Sequence, residues 1–165
     1  MVTGGPAVGK TTTGRLLAAK VARGAFIDVD DVRHYVMGGH AAPWDGDEGA
    51  EQQRLGVTNA CASAGSLWSA GFDIVVADVV TAASLQLYRA ALPNCLVVLL
   101  TIDLEVARAR AAQRPLWLTA PEFEMLHQQA AELAGPADVT IGVDHLSVEE
   151  QVEAIERTWD HLATC

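Results

Sequence analysis

The sequence is poor in several kinds of residue, and each shortage excludes a class of protein. Among its 165 residues are three cysteines, Cys61, Cys95 and Cys165, whose odd number and unrelated spacing predict neither a disulfide framework nor a zinc site. No apolar run approaches the roughly 20 residues that a membrane helix needs. No basic, apolar leader stands ahead of the first glycines. We therefore expect a cytoplasmic protein that makes no contact with a membrane.

Positive charge is scarce as well. The 11 Lys and Arg against 21 Asp and Glu give a formal net charge of −10, and the two lysines are Lys10 and Lys20. Because nucleic-acid binding draws on clustered basic side chains, we expect no nucleic-acid partner. The arginines are unevenly spread, since Arg108, Arg110 and Arg114 fall within one short segment. This concentration of cations in an acidic protein predicts a local use for them.

What the sequence does contain is a regular alternation of short β-rich runs and helical stretches. Such alternation is typical of a parallel sheet covered by helices on both faces. Five runs have the composition of strands, and they are 1–3, 25–29, 72–78, 95–102 and 139–141. No repeat, low-complexity tract or linker interrupts the pattern. We predict one α/β domain over residues 1–165, with a five-stranded parallel sheet in a three-layer α/β/α arrangement.

The segment GGPAVGKTT fits the phosphate-binding pattern G-x-x-x-x-G-K-[ST]. Gly4 and Gly9 permit backbone angles that turn successive N–H groups inward around a phosphate. The helix that follows presents its N-terminus to the same anion. Lys10 adds a positive charge toward the outer phosphates, and the Thr11 hydroxyl can ligate Mg²⁺. The predicted nucleotide-binding residues are Gly4, Gly5, Pro6, Ala7, Val8, Gly9, Lys10, Thr11 and Thr12.

The strand expected before this loop is short. Met1, Val2 and Thr3 are fewer than the roughly five residues of a usual strand. Either the strand is clipped, or the natural start lies upstream of Met1. In both cases the central strand loses ladder hydrogen bonds, which lowers the expected stability more than it affects the phosphate site.

Aspartates follow two of the predicted strands. Alternation along a strand puts Asp28 and Asp30 on one side of the sheet, at the carboxyl end where open α/β folds bind ligands. Asp31 is interpreted as a solvated helix residue. Asp78 ends an apolar strand, as the magnesium-organising aspartate of phosphate-loop proteins does, and we predict the same role for it. The alternative for Asp78 is a cap of the helix that begins near Thr81.

The glycine loop, one helix and the segment Phe26–Asp30 (FIDVD) together resemble the small P-loop kinases of the shikimate and gluconate kinase type. Val29–Asp30 followed by a helix is also similar to the chloramphenicol phosphotransferases. The resemblance implies a P-loop NTPase fold of the nucleoside-monophosphate-kinase-like kind, with a small lid at roughly residues 110–125. It implies that Asp30 is the base at the acceptor hydroxyl and that Asp28 belongs to the magnesium site. The segment Ala77–Val80 lacks the glycine cluster of shikimate kinases, so shikimate itself is not the expected acceptor.

The arginine segment lies where these kinases carry their lid. Arginine there can grip the transferring phosphoryl group and stabilise its charge. Arg110 and Arg114 are four residues apart and share a helix face, so both are predicted to be catalytic, whereas Arg108 faces elsewhere. A solvated helix face is the alternative interpretation. Trp117 and Phe123 either cover the closed site or belong to the core.

From these features we expect a Mg²⁺-dependent kinase that transfers the γ-phosphoryl of ATP to a hydroxyl of a small molecule. Its predicted catalytic residues are Asp30, Lys10, Arg110 and Arg114, and its predicted metal ligands are Thr11, Asp28 and Asp78. An antibiotic or another natural product is the favoured acceptor, bound between Asp30 and the loop at 38–49 that contains Trp44. Two alternatives stay open: a nucleoside or nucleotide kinase, and a non-catalytic ATP-binding switch protein.

Overall fold

Five short strands form one sheet in the computed structural model, which describes residues 1–113 and 117–163. The strands are β1 (Val2–Gly4), β2 (Gly24–Asp28), β3 (Asp73–Ala77), β4 (Val98–Thr101) and β5 (Val139–Gly142). Their order across the sheet is β2-β3-β1-β4-β5, and every neighbouring pair is parallel. The predicted five-stranded parallel sheet is therefore confirmed.

Helices connect the strands and cover both faces of the sheet, as right-handed parallel crossovers require. They are α1 (Lys10–Lys20), α2 (Val29–Arg33), α3 (Gly46–Ser69), α4 (Ala82–Ala91), α5 (Leu104–Ala111), α6 (Ala120–Ala131) and α7 (Val148–Ala163), with a 3-10 turn, Glu132–Ala134, after α6. In the ranges given above, no helix combines the length and the apolar character that crossing a membrane requires.

The core is divided between the two faces of the sheet. Val76 of β3 packs in one cluster with residues of α2, α3 and α4, whereas its neighbour Val75 packs in another with residues of α1 and α7. Successive strand residues point to opposite faces, so a strand covered on both sides needs an unbroken apolar run. The run Ile74–Ala77 meets this requirement, and the arrangement gives the predicted three layers.

The predicted and observed elements differ mainly at their ends. The strand predicted over 95–102 is limited to Val98–Thr101. Helix α2 begins directly after β2, because Asp28 is its cap and accepts a hydrogen bond from the backbone N–H of Asp30 at 3.2 Å. Three further helices begin at side-chain caps, which are Asp103 for α5, Thr119 for α6 and Ser147 for α7.

The central strand is as short as the sequence indicates. β1 pairs with β4 at three positions, from Val2 opposite Val98 to Gly4 opposite Leu100. It pairs with β3 at one position only, Val2 opposite Ala77. The carboxyl ends of β1, β2 and β3 nevertheless lie side by side, and this edge of the sheet carries the candidate site.

Candidate active site

The loop between β1 and α1 has the backbone of an anion site. Gly4, Ala7 and Gly9 have positive φ angles of 142°, 62° and 105°. A Cβ on Gly4 would lie 2.3 Å from the carbonyl oxygen of Leu100, so the exit from β1 requires glycine. Gly9 is the N-cap residue of α1, and it has no side chain that could accept hydrogen bonds from the first backbone N–H groups of the helix. Such a turn leading into a helix N-terminus suits a phosphate.

Lys10 lies against this loop. Its Nζ donates hydrogen bonds to the carbonyl oxygens of Gly4 at 3.0 Å and Gly5 at 2.9 Å. The ammonium is thus held at the concave backbone that the sequence predicts to bind phosphate. This placement fits the predicted role of Lys10 as the positive charge beside the transferring group.

Thr11 and Asp28 meet although 17 positions separate them in the sequence. The Thr11 hydroxyl donates to Asp28 Oδ2 at 2.9 Å, and Asp28 Oδ1 accepts the backbone N–H of Asp30. Hydroxyl and carboxylate oxygens are ligands that Mg²⁺ prefers, and it is usually held by one or two protein groups together with substrate phosphates. The chemistry of this pair therefore fits the predicted magnesium site.

Asp30 begins a chain of charged and polar side chains that leads into the core. Arg33 Nη1 donates to Asp30 Oδ1 at 2.9 Å, and Arg33 Nη2 donates to Asp78 Oδ2 at 3.1 Å. The Tyr88 hydroxyl donates to the same Asp78 oxygen at 2.7 Å. Side-chain exposure falls from 62% at Asp30 to 13% at Arg33 and 0% at Asp78. Asp30 is thus an accessible carboxylate held by an arginine that is itself anchored in the core.

Burial and mutual charges shift the pKa values of the side chains of Arg33, Asp78 and Tyr88. Burial lowers the pKa of Arg33, but the carboxylates of Asp78 and Asp30 more than offset it, and the net shift is upward. Full burial raises the pKa of Asp78 against the opposing charge of Arg33 and the hydrogen bond from Tyr88. Burial, with the nearby Asp78 carboxylate, also raises the pKa of Tyr88 well above its ordinary range. The guanidinium therefore stays charged beside Asp30.

Asp78 directly follows β3 beside the central strand, at the strand end where the sequence placed it. Its carboxylate accepts hydrogen bonds from Arg33 and Tyr88, and its side chain is fully buried, unlike the exposed Thr11. Holding Arg33 is a role that the sequence did not suggest for it. The magnesium role of Asp78 stays a prediction.

Helix α6 packs behind the phosphate loop through His127, which the sequence analysis missed. Its Nε2 lies 3.0 Å from the carbonyl oxygen of Pro6. A Cβ on Gly5 would lie 2.7 Å from its Nδ1, so the ring occupies the space that a side chain at position 5 would need. The ring of Phe123 lies 4.7 Å from that of His127, and Phe123 belongs to a buried cluster that includes Ala7. Phe123 is therefore a core residue, which decides between its two interpretations.

Acid should destabilise the protein partly through His127. Burial, and to a lesser extent the charges of Lys10 and Arg108, lower its pKa from the ordinary 6.5, although its bond to Pro6 opposes this. The folded state therefore binds this proton less readily than the unfolded chain, so stability is lost as the pH falls below about 6.5. We expect the melting temperature to fall less between pH 7.5 and 5.5 in His127→Gln than in the wild type. In His145→Gln, which alters an exposed histidine, the fall should match the wild type. An equal fall in the wild type and His127→Gln would contradict the prediction.

Gln151 on α7 supports the loop from another side and was also missed. Thr13 Oγ1 donates to its Oε1 at 2.8 Å, and its Nε2 donates to the carbonyl of Leu146 at 3.4 Å. A Cβ on Gly9 would lie 3.0 Å from the same Oε1. No sequence motif includes Gln151. The capping box of Ser147 and Glu150, which starts α7, directly precedes it in the sequence. The contact joins the first turn of α1 to α7.

The arginines of the predicted lid have different surroundings. Arg110 Nη2 donates to the carbonyl oxygens of Val143 at 2.8 Å and Asp144 at 3.3 Å, which ties α5 to the loop after β5. Arg108 pairs on the surface with acidic residues of α5 and α6. Arg114 lies outside the described residues. The predicted action of Arg110 and Arg114 on the phosphoryl group stays a prediction.

The loop that contains Trp44 is held by the first turns of α3. Gln52 Nε2 donates to the carbonyl of Gly39 at 2.7 Å, and its Oε1 accepts the backbone N–H of Ala41 at 2.9 Å. Trp44 is partly exposed at 37%, and Trp117, within the predicted lid segment, is exposed at 97%.

No family model matches the chain, and no curated protein does. Solved structures do share its fold. A shikimate kinase from Aquifex aeolicus is 20% identical with a TM-score of 0.67, and the match covers 99% of this chain and 97% of that one. A sugar kinase from Janibacter sp. is 19% identical with a TM-score of 0.71, covering 96% and 92% of the two chains. A gluconokinase from Sinorhizobium meliloti is 17% identical with a TM-score of 0.64, covering 99% and 94%. The likeness confirms the P-loop kinase fold that the glycine loop and Phe26–Asp30 predict.

Proposed function

We propose that this protein is a small-molecule kinase that transfers the γ-phosphoryl group of ATP to a hydroxyl group of its acceptor. The observation that carries the proposal is the hydrogen bond between Thr11 and Asp28, two residues before Asp30. It brings the carboxylates at the end of β2 to the phosphate loop, so that donor and acceptor groups share one edge of the sheet. The fold shared with small-molecule kinases supports the same conclusion.

Each residue has a defined task in this reaction. The loop amides and Lys10 bind the phosphates of ATP and offset the negative charge of the transferring group. Asp30 accepts the proton of the acceptor hydroxyl, whose oxygen forms a bond to the γ-phosphorus as the bond to the β,γ-bridging oxygen breaks and ADP leaves. Arg33 fixes the orientation of the Asp30 carboxylate. Thr11 and Asp28 are the residues that would hold Mg²⁺, which neutralises phosphate charge when bound.

The acceptor is a small molecule with a hydroxyl group, and it binds between Asp30 and the loop containing Trp44. We favour an antibiotic or another natural product, because Val29–Asp30 followed by a helix is similar to the chloramphenicol phosphotransferases. The partly exposed indole of Trp44 offers an apolar surface for such a molecule. Shikimate is disfavoured since Ala77–Val80 contains no glycine.

An acceptor screen tests the proposal. Hydroxylated antibiotics, sugars, gluconate, shikimate and nucleosides are incubated with ATP, Mg²⁺ and the protein, and each product is examined for the mass of one added phosphoryl group. Phosphorylation of a nucleoside alone would favour a nucleoside kinase. Tight ATP binding without turnover of any acceptor would favour the non-catalytic switch.

The two lysines of the chain provide a matched pair of variants for any activity found. Lys10→Ala removes the charge at the phosphate loop, and we expect kcat to fall by about 10²-fold or more. Lys20→Ala should retain full activity, because its Nζ pairs with Glu156 at 2.6 Å on the surface. Steady-state measurement of ADP release checks both. An unchanged rate in Lys10→Ala would overturn the assignment of the loop.

A further inference from the structure

Ala7 has a strained backbone conformation in the middle of the glycine loop. Its φ is 62°, and no other residue besides glycine has a positive φ in the part of the chain that the structure describes. In this left-handed region the Cβ crowds the following carbonyl oxygen, so alanine keeps the angle only where its surroundings hold it. The contacts around Ala7 therefore determine the shape of the loop.

The three carbonyl groups that precede Ala7 each have a partner. Lys10 Nζ donates to the carbonyl oxygens of Gly4 and Gly5, and His127 Nε2 lies 3.0 Å from that of Pro6. A carbonyl oxygen can only accept, so the contact with Pro6 is a hydrogen bond in which Nε2 carries the ring proton. Helix α6 thus supplies the contact nearest to the strained residue.

The N–H of Ala7 points away from this contact. A peptide unit is planar, with its C=O and its N–H on opposite sides, so the bond from His127 to the Pro6 carbonyl also fixes the direction of the next N–H. Ala7 and Val8 are buried, yet their N–H groups donate to no other group among residues 1–113 and 117–163. Buried N–H groups without a partner are rare. Successive N–H groups in such a turn form a concave site for an anion.

Helix α6 also borders the Pro6–Ala7 peptide by packing. The ring of His127 fills the place of a side chain at Gly5, where a Cβ would lie 2.7 Å from its Nδ1. Phe123, one turn earlier on α6, belongs to the buried cluster that includes Ala7. The helix therefore meets the loop both before and after the peptide whose carbonyl it holds.

We propose that His127 is a positioning residue of the phosphate site, which holds the Pro6–Ala7 peptide so that the N–H of Ala7 points at a phosphate of the bound nucleotide. This role rests on the proposed function, in which the loop binds ATP. Without the hydrogen bond from Nε2, Ala7 relaxes to a negative φ and its N–H turns away from the phosphate. Nucleotide binding then has to restore the left-handed angle, so the affinity for ATP falls.

Calorimetric titration with ATP and Mg²⁺ compares two substitutions at this position and needs no acceptor. His127→Leu removes the donor, and we expect the Kd for ATP to rise about 10-fold, as the cost of one left-handed alanine implies. His127→Gln keeps an N–H donor near the place of Nε2 and should bind ATP within about 2-fold of the wild type. Gln128→Leu alters the exposed neighbour on α6 and should leave the Kd unchanged. Equal losses in His127→Leu and His127→Gln, or no loss in either, would overturn the proposal.

A substitution at Ala7 separates this role from a general effect of packing. Glycine adopts a positive φ about as readily as a negative one, so a glycine at position 7 needs no anchor at Pro6. In the Ala7→Gly background, His127→Leu should therefore raise the Kd for ATP by only about 3-fold or less, which shows that the two sites are coupled. An equal rise in both backgrounds would contradict a role that acts through Ala7.

The wild type provides a test that does not require His127→Leu to fold. A long-range ¹H–¹⁵N NMR spectrum of the histidine rings at pH 7.5, assigned by comparison with His127→Gln, should show the proton of His127 on Nε2. A proton on Nδ1 alone would exclude the hydrogen bond to Pro6 and with it the proposal. A wild type that does not bind ATP would overturn the proposed function and the role of His127 together. Normal ATP binding in both the wild type and His127→Leu would reject the role of His127 alone.

Discussion

Asp30→Asn is expected to lower kcat for phosphoryl transfer by about 10²–10⁴-fold, the usual contribution of a positioned general base. An asparagine amide has nearly the size of the carboxylate and keeps an oxygen for Arg33, but it cannot take the proton of the acceptor hydroxyl. The affinity for ATP should stay nearly unchanged, because the loop amides and Lys10 are not altered. Steady-state kinetics with the acceptor found in the screen, and calorimetry with ATP, measure the two quantities separately.

The neighbouring aspartate provides the control for this experiment. Asp31 lies next in the sequence and has an exposed side chain that pairs loosely with Arg15 at 3.7 Å. Asp31→Asn should therefore leave kcat and the ATP affinity as they are in the wild type. Full activity in Asp30→Asn would show that another group accepts the proton.

Asp78→Ala is expected to have the largest effect on stability. It leaves the buried guanidinium of Arg33 without its main counter-charge, and breaking a buried pair in this way costs about 3–5 kcal/mol. For a chain of this length the melting temperature should fall by about 10 °C or more. Thermal unfolding followed by circular dichroism measures the change. A variant that is as stable as the wild type but has lost Mg²⁺-dependent nucleotide binding would show that Asp78 is a metal ligand instead.

Two further variants separate the effect of charge from the effect of packing at Arg33, Asp78 and Tyr88. Tyr88→Phe removes one hydrogen bond to Asp78 and should cost only about 1 kcal/mol. The double variant Arg33→Met/Asp78→Leu replaces the buried pair by apolar side chains, which is often neutral or stabilising. It should recover most of the stability lost in Asp78→Ala yet keep a lowered kcat, because Asp30 has lost the arginine that orients it. Recovery of both stability and rate would mean that Arg33 does not orient the base.

The phosphate loop could be predicted from the sequence because its function depends on neighbours in the chain. Gly4, Gly9 and Lys10 act through local backbone angles and the helix that starts after them, and the structure has each in its expected place. Thr11 was predicted as a magnesium ligand from the loop motif and Asp28 from the resemblance to the small P-loop kinases, and the rule that parallel strands end at one edge placed Asp28 on the same side as the loop. That rule brings residues to the same edge and leaves their hydrogen bonds unspecified.

The supports of the loop could not be predicted in this way. His127 reaches Pro6 across 121 positions, and Gln151 reaches Thr13 across 138. Neither residue stands in a motif, because the requirement on each is to fill the space beside a glycine and to reach one distant hydrogen-bond partner. Such a requirement exists only after the helices have packed, so the sequence gives no sign of it.

Local pattern by itself determined the succession of strands and helices, the glycine loop predicted to bind phosphate and the aspartates at the ends of β2 and β3. Tertiary structure decided how those aspartates differ. Asp30 stays accessible beside the loop, whereas Asp78, which occupies an equivalent strand end, is enclosed by Arg33 and Tyr88. The physical reason is that the electrostatic behaviour of a carboxylate depends on burial and nearby charges, and both are set by the packing of α2 and α4 against the sheet.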